Sequence, residues 1–186
     1  MIETERLVLR PWTEADRDGF VAMMGDPEVG GWLGGALTRE EADGAFDRMR
    51  AFLAENGHGY WAAERKADGL LLGRIGARRM PLDWRHPFSG QVEVGWALAR
   101  HAWGQGYAAE GAAAALAWGF ETLATPEIFS FTADTNARSE AVMRRIGMVR
   151  AADRDFDHPD LAPDHPLRRH VVYVARRPIA APTGRS

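Results

Sequence analysis

Leu7 and Leu9 alternate with Arg6, Val8 and Arg10 in the segment Glu5 to Trp12, and Pro11 closes it. That period of two predicts a half-buried opening strand. The period then lengthens. Thr13 stands before Glu14 and Asp16, and Phe20, Val21 and Met24 follow at helical spacing, so a capped helix is expected. Gly30, Gly31, Gly34 and Gly35 make "VGGWLGG" a loop. Thr38 and Glu41 form a capping box, and Ala42, Phe46, Met49 and Leu53 fall on one face of the helix it opens. Gly57 and Gly59 stop that helix.

Residues 60–66 and 70–79 read as two strands joined through Ala67-Asp68-Gly69, and 91–99 as a third antiparallel neighbour. Residues 107–123 combine strong helix formers with Leu116, Phe120 and Leu123, and the alanines and glycines between them would let this helix lie close to a sheet. A strand at 127–134 precedes a short helix at 136–147 with Ala141, Val142 and Ile146 facing in. A strand at 148–156, a proline-rich loop at 157–169 and a last strand at 170–177 complete the order. Residues 178–186 read as a frayed tail beyond a single domain of residues 1–177. The fold class is α/β, mixed: a central, mostly antiparallel sheet with helices on both faces. Its parallel neighbours should be the strands around 92–98 and 127–133, joined by the alanine-rich helix.

Composition narrows the class. At 186 residues and 46% hydrophobic, the chain can build one core and is too apolar for disorder. Lys and Arg total 23 against 26 Asp and Glu, a net charge of -3 that argues against a general nucleic-acid binder. Cysteine is absent, which excludes disulfides, thiol nucleophiles and thiolate metal sites. No apolar run approaches the roughly 20 residues that span a bilayer, and "MIETERLVLR" has no signal-like core. A cytoplasmic protein without membrane attachment is expected.

The candidate chemistry centres on "WGQGYAAEG", Trp103 to Gly111. A helix start exposes about four unbonded N–H groups, and its dipole favours an anion. Gly104 and Gly106 leave room for a phosphate to approach. A P-loop is excluded, because no Lys-Ser or Lys-Thr follows. Gly104, Gly106 and Ala109 also match the dinucleotide pattern, with Asp134 after the next strand, so an NAD(P)-binding oxidoreductase is one alternative. A structural turn without ligand is another.

Three stretches, "TERLVLRPW", "QVEVGWALARHAWGQGYAAEGAAAALAWGFETL" and "TADTNARSEAVMRRIGM", resemble the GNAT family of N-acetyltransferases over almost the full chain. Within it they look like the branch of ribosomal-protein N-terminal acetyltransferases. The resemblance implies the acyl-CoA N-acyltransferase fold and acetyl-CoA as cosubstrate, with no metal. Trp103, Gly104, Gln105, Gly106, Tyr107 and Ala108 would bind its pyrophosphate, with Trp103 in place of the family's usual polar residue. Main-chain groups of Trp96, Ala97 and Leu98 would meet the pantetheine arm and the thioester carbonyl. Asn136 and Ser139 match an Asn-x-x-Ser pattern beside the cofactor. Arg138 is the foremost of Arg100, Arg138, Arg144 and Arg145 for the CoA phosphates, and His101 lies near the same loop. Many members carry a tyrosine as general acid where this chain has Met143, so Ser139 or a water would take that role. The resemblance also makes a homodimer a common assembly, though no residue here specifies one.

Acetyl transfer to an amine needs a neutral nitrogen, a polarised carbonyl and a leaving thiolate. Glu93 is the first candidate for general base, on the face opposite Val92 and Val94, with a bulge near Gly95 a means of redirecting the strand. Direct attack in a ternary complex is expected on a primary amine, either a protein amino terminus or a small molecule. The alternative in a different class is an acyl-CoA-binding or interaction protein without catalysis. The carboxylates and histidines of 153–165 fit a solvated loop edging the acceptor groove better than a metal site, and Trp32 and Trp84 are candidates to line that groove. Tyr173 is expected to pack in the core with its hydroxyl at an edge.

Overall fold

The computed structural model describes residues 1–82 and 87–177. Trp84 and the expected tail at 178–186 lie outside the described residues. Among the described residues nine strands form one sheet: β1 (Ile2–Glu3), β2 (Leu7–Arg10), β3 (Gly59–Arg65), β4 (Leu71–Arg79), β5 (Val92–Leu98), β6 (Glu127–Ala133), β7 (Val149–Arg150), β8 (Phe156–Asp157) and β9 (Arg169–Arg176). The order is β1-β2-β3-β4-β5-β6-β9-β7, with β8 also on β9. Among the described residues β5 and β6 are the one parallel pair, and the rest are antiparallel. A dinucleotide fold needs a parallel sheet, so that alternative falls.

The α-helices of the described residues flank the sheet: α1 (Arg17–Met24), α2 (Pro27–Gly30), α3 (Arg39–Asn56), α4 (Tyr107–Thr122) and α5 (Ala137–Arg145). The Thr38–Glu41 capping box starts α3, and Gly57 ends it in the left-handed conformation, φ 69°. Ala42, Phe46 and Leu53 of α3 are buried, with Phe46 against Trp12 and Phe20. α4 covers the other face so closely that a Cβ on Gly111 would run into Ile75, and one on Gly119 would stand 2.9 Å from Ile128. That contact is what the small inner face of α4 allows.

Three expectations change. The segment 148–156 is not one strand: β7 gives way to a 3-10 turn at Ala152–Arg154 before β8. The Asp155 carboxylate accepts from the Val172 amide and from Arg150, so a side chain takes the place of a ladder partner. In α5 the buried residue is Met143, fully enclosed in the main core, whereas Ala141 is exposed. The register of β4 on β5 runs unbroken from Gly73↔Leu98 to Arg79↔Val92, so no bulge forms near Gly95; the irregularity lies between β3 and β4 at Ala63/Glu64.

Candidate active site

The sheet opens at its parallel pair. β5 and β6 are registered at Val92↔Ile128 and Glu93↔Phe129, and the pairing stops there although each strand runs on. The Ala99 amide donates to Leu72 and the Met80 amide to Gln91, so the main chain of the odd-numbered β5 residues faces β4. Strand alternation then aims the main chain of Val94, Trp96 and Leu98 at the opening. Of the three residues expected to meet the pantetheine arm, Trp96 does face it. Ala97 does not, because its backbone pairs with β4. The Leu98 carbonyl is taken by the Trp103 indole N–H at 2.8 Å.

The C-terminal ends of both parallel strands lead to candidate cofactor residues. After β5 comes a 3-10 turn, Arg100–Ala102, then the glycine loop and α4. Gly104 (φ 73°) and Gly106 (φ 82°) are left-handed, which explains glycine at both positions. A Cβ on Gly104 would meet nothing within 4 Å, so the space in front is open. Gly106 caps α4 without any side-chain cap, so the first amides of α4, those of Tyr107 and Ala108 included, keep their N–H groups for an anion. Gln105 steadies the loop through its side chain on the His101 carbonyl at 2.6 Å.

After β6, Asn136 caps α5 by accepting from the Ser139 amide at 3.2 Å. The Ser139 hydroxyl has no partner among the described residues. Arg138 lies 4.7 Å over the Trp103 ring, joining the start of α5 to the glycine loop. Arg100 pairs with Asp26 and Glu28 of the α2 region, and Arg144 bonds the Tyr173 hydroxyl and Glu140. Tyr173 is buried, with its hydroxyl in that network.

Sequence reasoning missed the clamp that holds the loop. Glu110 accepts from the Thr4 hydroxyl (2.6 Å), the Arg6 amide (2.8 Å) and Arg6 Nε (2.7 Å). Burial alone would raise its pKa, but these hydrogen bonds hold it below the usual carboxylate range. Arg6 also donates to the Gln105 carbonyl and lies 4.5 Å from the centre of the Tyr107 ring.

Beside the opening, Glu93 is 6% exposed. Its Oε2 accepts from the Tyr60 hydroxyl (2.8 Å) and Arg78 Nε (3.1 Å), leaving Oε1 without a donor among the described residues. Burial, then the Glu93 charge, pushes the Tyr60 hydroxyl up to about 12. Arg74 and Arg78 stand 4.6 and 5.0 Å from the Tyr60 ring centre. Met143 is enclosed in the core, and a thioether has no proton to donate. Trp32 is exposed with no side-chain partner among the described residues. An open concavity of about 610 Å³ borders the start of the glycine loop at His101 and Arg100, opposite Met23 and Asp26 of the α1–α2 region, and does not include Glu93. Among the described residues no group of three or more His, Asp or Glu side chains is arranged to hold a metal ion, and no helix is long and apolar enough to cross a membrane.

The sheet thus parts at its parallel pair, with the uncapped N-terminus of α4 beyond and a buried carboxylate beside the opening. The profile of the Acetyltransferase (GNAT) domain matches residues 6–149, and the chain belongs to that family. It is an acetyl-CoA-dependent acetyltransferase acting on amines. The uncharacterized N-acetyltransferase YoaA of Bacillus subtilis is 25% identical over 150 residues, 79% of this chain and 81% of the relative. An acetyltransferase from Agrobacterium tumefaciens aligns over 95% of this chain and 94% of its own at 32% identity, with a TM-score of 0.74. The ribosomal-protein-S5-alanine acetyltransferase of Vibrio fischeri shares the fold at 16% identity, with a TM-score of 0.72 over 94% of each chain.

Proposed function

We propose that residues 1–177 transfer the acetyl group of acetyl-CoA to a primary amine by direct attack in a ternary complex. The observation that carries this reading is the coincidence at one end of the sheet: the free main-chain edge of Val94 and Trp96, and the uncapped amides of α4. The α4 amides hold the pyrophosphate, with Gly104 and Gly106 giving access and Arg138 supplying charge. The Trp96 main chain takes the pantetheine arm, and Asn136 borders it. The amine nitrogen attacks the thioester carbon, the C–S bond breaks as the C–N bond forms, and the amine proton passes to Glu93 Oε1 directly or through water. The Ser139 hydroxyl, or a water beside it, returns a proton to the coenzyme A thiolate. Backbone N–H groups polarise the carbonyl.

The acceptor is a protein amino terminus or a small amine. The likeness to the V. fischeri enzyme supports the first, as fold alone. Acetyl-CoA with an amine panel should release free thiol above a no-amine control and yield acetylated product by mass spectrometry, with acetyl-CoA binding measured by calorimetry. Binding without release for any amine would overturn the enzyme reading and leave an acyl-CoA-binding protein.

A further inference from the structure

Arg74 has no carboxylate in contact among the described residues, and Glu93, whose charge it feels through space, is already paired with Arg78. Arg74 makes no hydrogen bond or ion pair among the described residues, and its Nε is buried without a partner. Its guanidinium lies only over the Tyr60 ring. Burial lowers its pKa. Arg78, on the other side of that ring along β4, is answered by Glu93. The cluster therefore holds two guanidinium groups and one carboxylate. Buried arginines are normally paired, because removing the charge from water is destabilising.

Geometry says what would restore the balance. Tyr60 lies opposite Gly76, and its hydroxyl reaches Glu93. One ring and one hydrogen bond thus separate the Arg74 guanidinium from the Glu93 carboxylate, a span of at most about 10 Å. Within that bound one small ligand can reach both groups, its carboxylate at the guanidinium and its amine at Glu93. We propose that the acceptor is a small amino carboxylate, whose carboxylate is held by Arg74 while its amine is directed to Glu93. This rests on the acetyl-transfer reading above. Arginine suits the task, since its planar fork binds a carboxylate through two parallel hydrogen bonds.

The test uses L-α-amino acids against their primary amides, with a peptide amide beginning in aspartate as a third arm. Amine basicity differs within each pair, so the readout is the carboxylate-to-amide ratio of kcat/KM in wild type divided by that in Arg74→Gln. That quotient should be ten or more, carried by the acceptor KM, with Arg74→Lys bringing it part of the way back to one. Tm should fall in Arg74→Gln by no more than loss of the one contact with the Tyr60 ring accounts for; a fall large enough to unfold the protein at the assay temperature would make Arg74 structural and overturn the proposal. An unchanged ratio with active enzyme would overturn it while leaving acetyl transfer intact. Calorimetry on the CoA-loaded protein reads recognition without turnover. Carboxylates that bind wild type and not Arg74→Gln support the proposal even if no amine is acetylated, and equal binding of carboxylate and amide overturns it. Preference for the aspartate peptide over every free amino acid would overturn the small-molecule assignment.

Discussion

Replacing Glu93 with glutamine isolates its basicity. The amide keeps the shape, and its carbonyl can still accept from the Tyr60 hydroxyl that now stands 2.8 Å from Oε2. What disappears is the charge facing Arg78 and the proton acceptor at the opening. Loss of a positioned general base lowers kcat by about a hundred- to ten-thousandfold, or about 3–5 kcal/mol of barrier. The stability loss should be smaller, about 1–2 kcal/mol, because Arg78 is 30% exposed and water replaces part of the ion pair. The pH dependence gives the sharper signature. An α-amine with a pKa of about 8 is roughly one-tenth neutral at pH 7 and nine-tenths neutral at pH 9. Without a base the rate should follow that neutral fraction, so the variant's deficit narrows by about tenfold across the interval. Thiol release at saturating acetyl-CoA, from pH 6 to 9, measures this, and calorimetry checks that cofactor affinity is retained. A variant with the wild-type rate throughout that range would remove Glu93 as the base.

Gly106→Val places a β-branched residue at φ 82° and should weaken acetyl-CoA binding at least tenfold by calorimetry; a folded variant with wild-type affinity would displace the pyrophosphate from this loop. Glu110→Ala removes three hydrogen bonds and should cost about 1–3 kcal/mol in denaturant unfolding, with reduced acetyl-CoA affinity as Arg6 lets go of Gln105; unchanged stability would show that the clamp contributes nothing. Burial holds the pKa values of His58, His158 and His170 below the ordinary 6.5. Below that pH the unfolded chain takes up protons that the folded chain refuses, so the stability present above about pH 6.5 declines as pH falls toward the lowered folded values. Tm should therefore drop between pH 7.5 and 5.5, and a flat Tm would refute the coupling.

The parts of this fold legible in the sequence are those set by local rules. The capping box of Thr38 and Glu41, the helical spacing of Phe46 and Leu53, and the glycines before α4 each act within a few residues. The segment 148–156 misled because it holds no glycine or proline to mark a break, while the deciding bond came from Val172 to Asp155 across the sheet. Of the residues expected on the inward face of α5, Val142 and Ile146 do pack against the core, whereas Ala141 is exposed and Met143 is the residue fully buried. The clamp escaped notice for a related reason: Thr4 and Arg6 are more than a hundred residues from Glu110, and nothing in either segment specifies the other.

The catalytic face depends on register in the same way. Tyr60, Arg74, Arg78 and Glu93 come from three strands, and a one-residue slip in any pairing would turn one of them to the opposite face. Two small residues convert the register into a site. Gly76 stands opposite both Tyr60 and Gly95, and a Cβ there would meet the Tyr60 Cα at 2.7 Å. A Cβ on Gly95 would stand 2.8 Å from the Tyr60 hydroxyl. With both positions cleared, the phenol lies across β4 and reaches the carboxylate on β5. Gly95 therefore acts through the ring it admits rather than through a bulge in its own strand. The same ring keeps Arg74 apart from Glu93, so the spacing that leaves this arginine out of contact with that carboxylate is fixed by where the glycines fall.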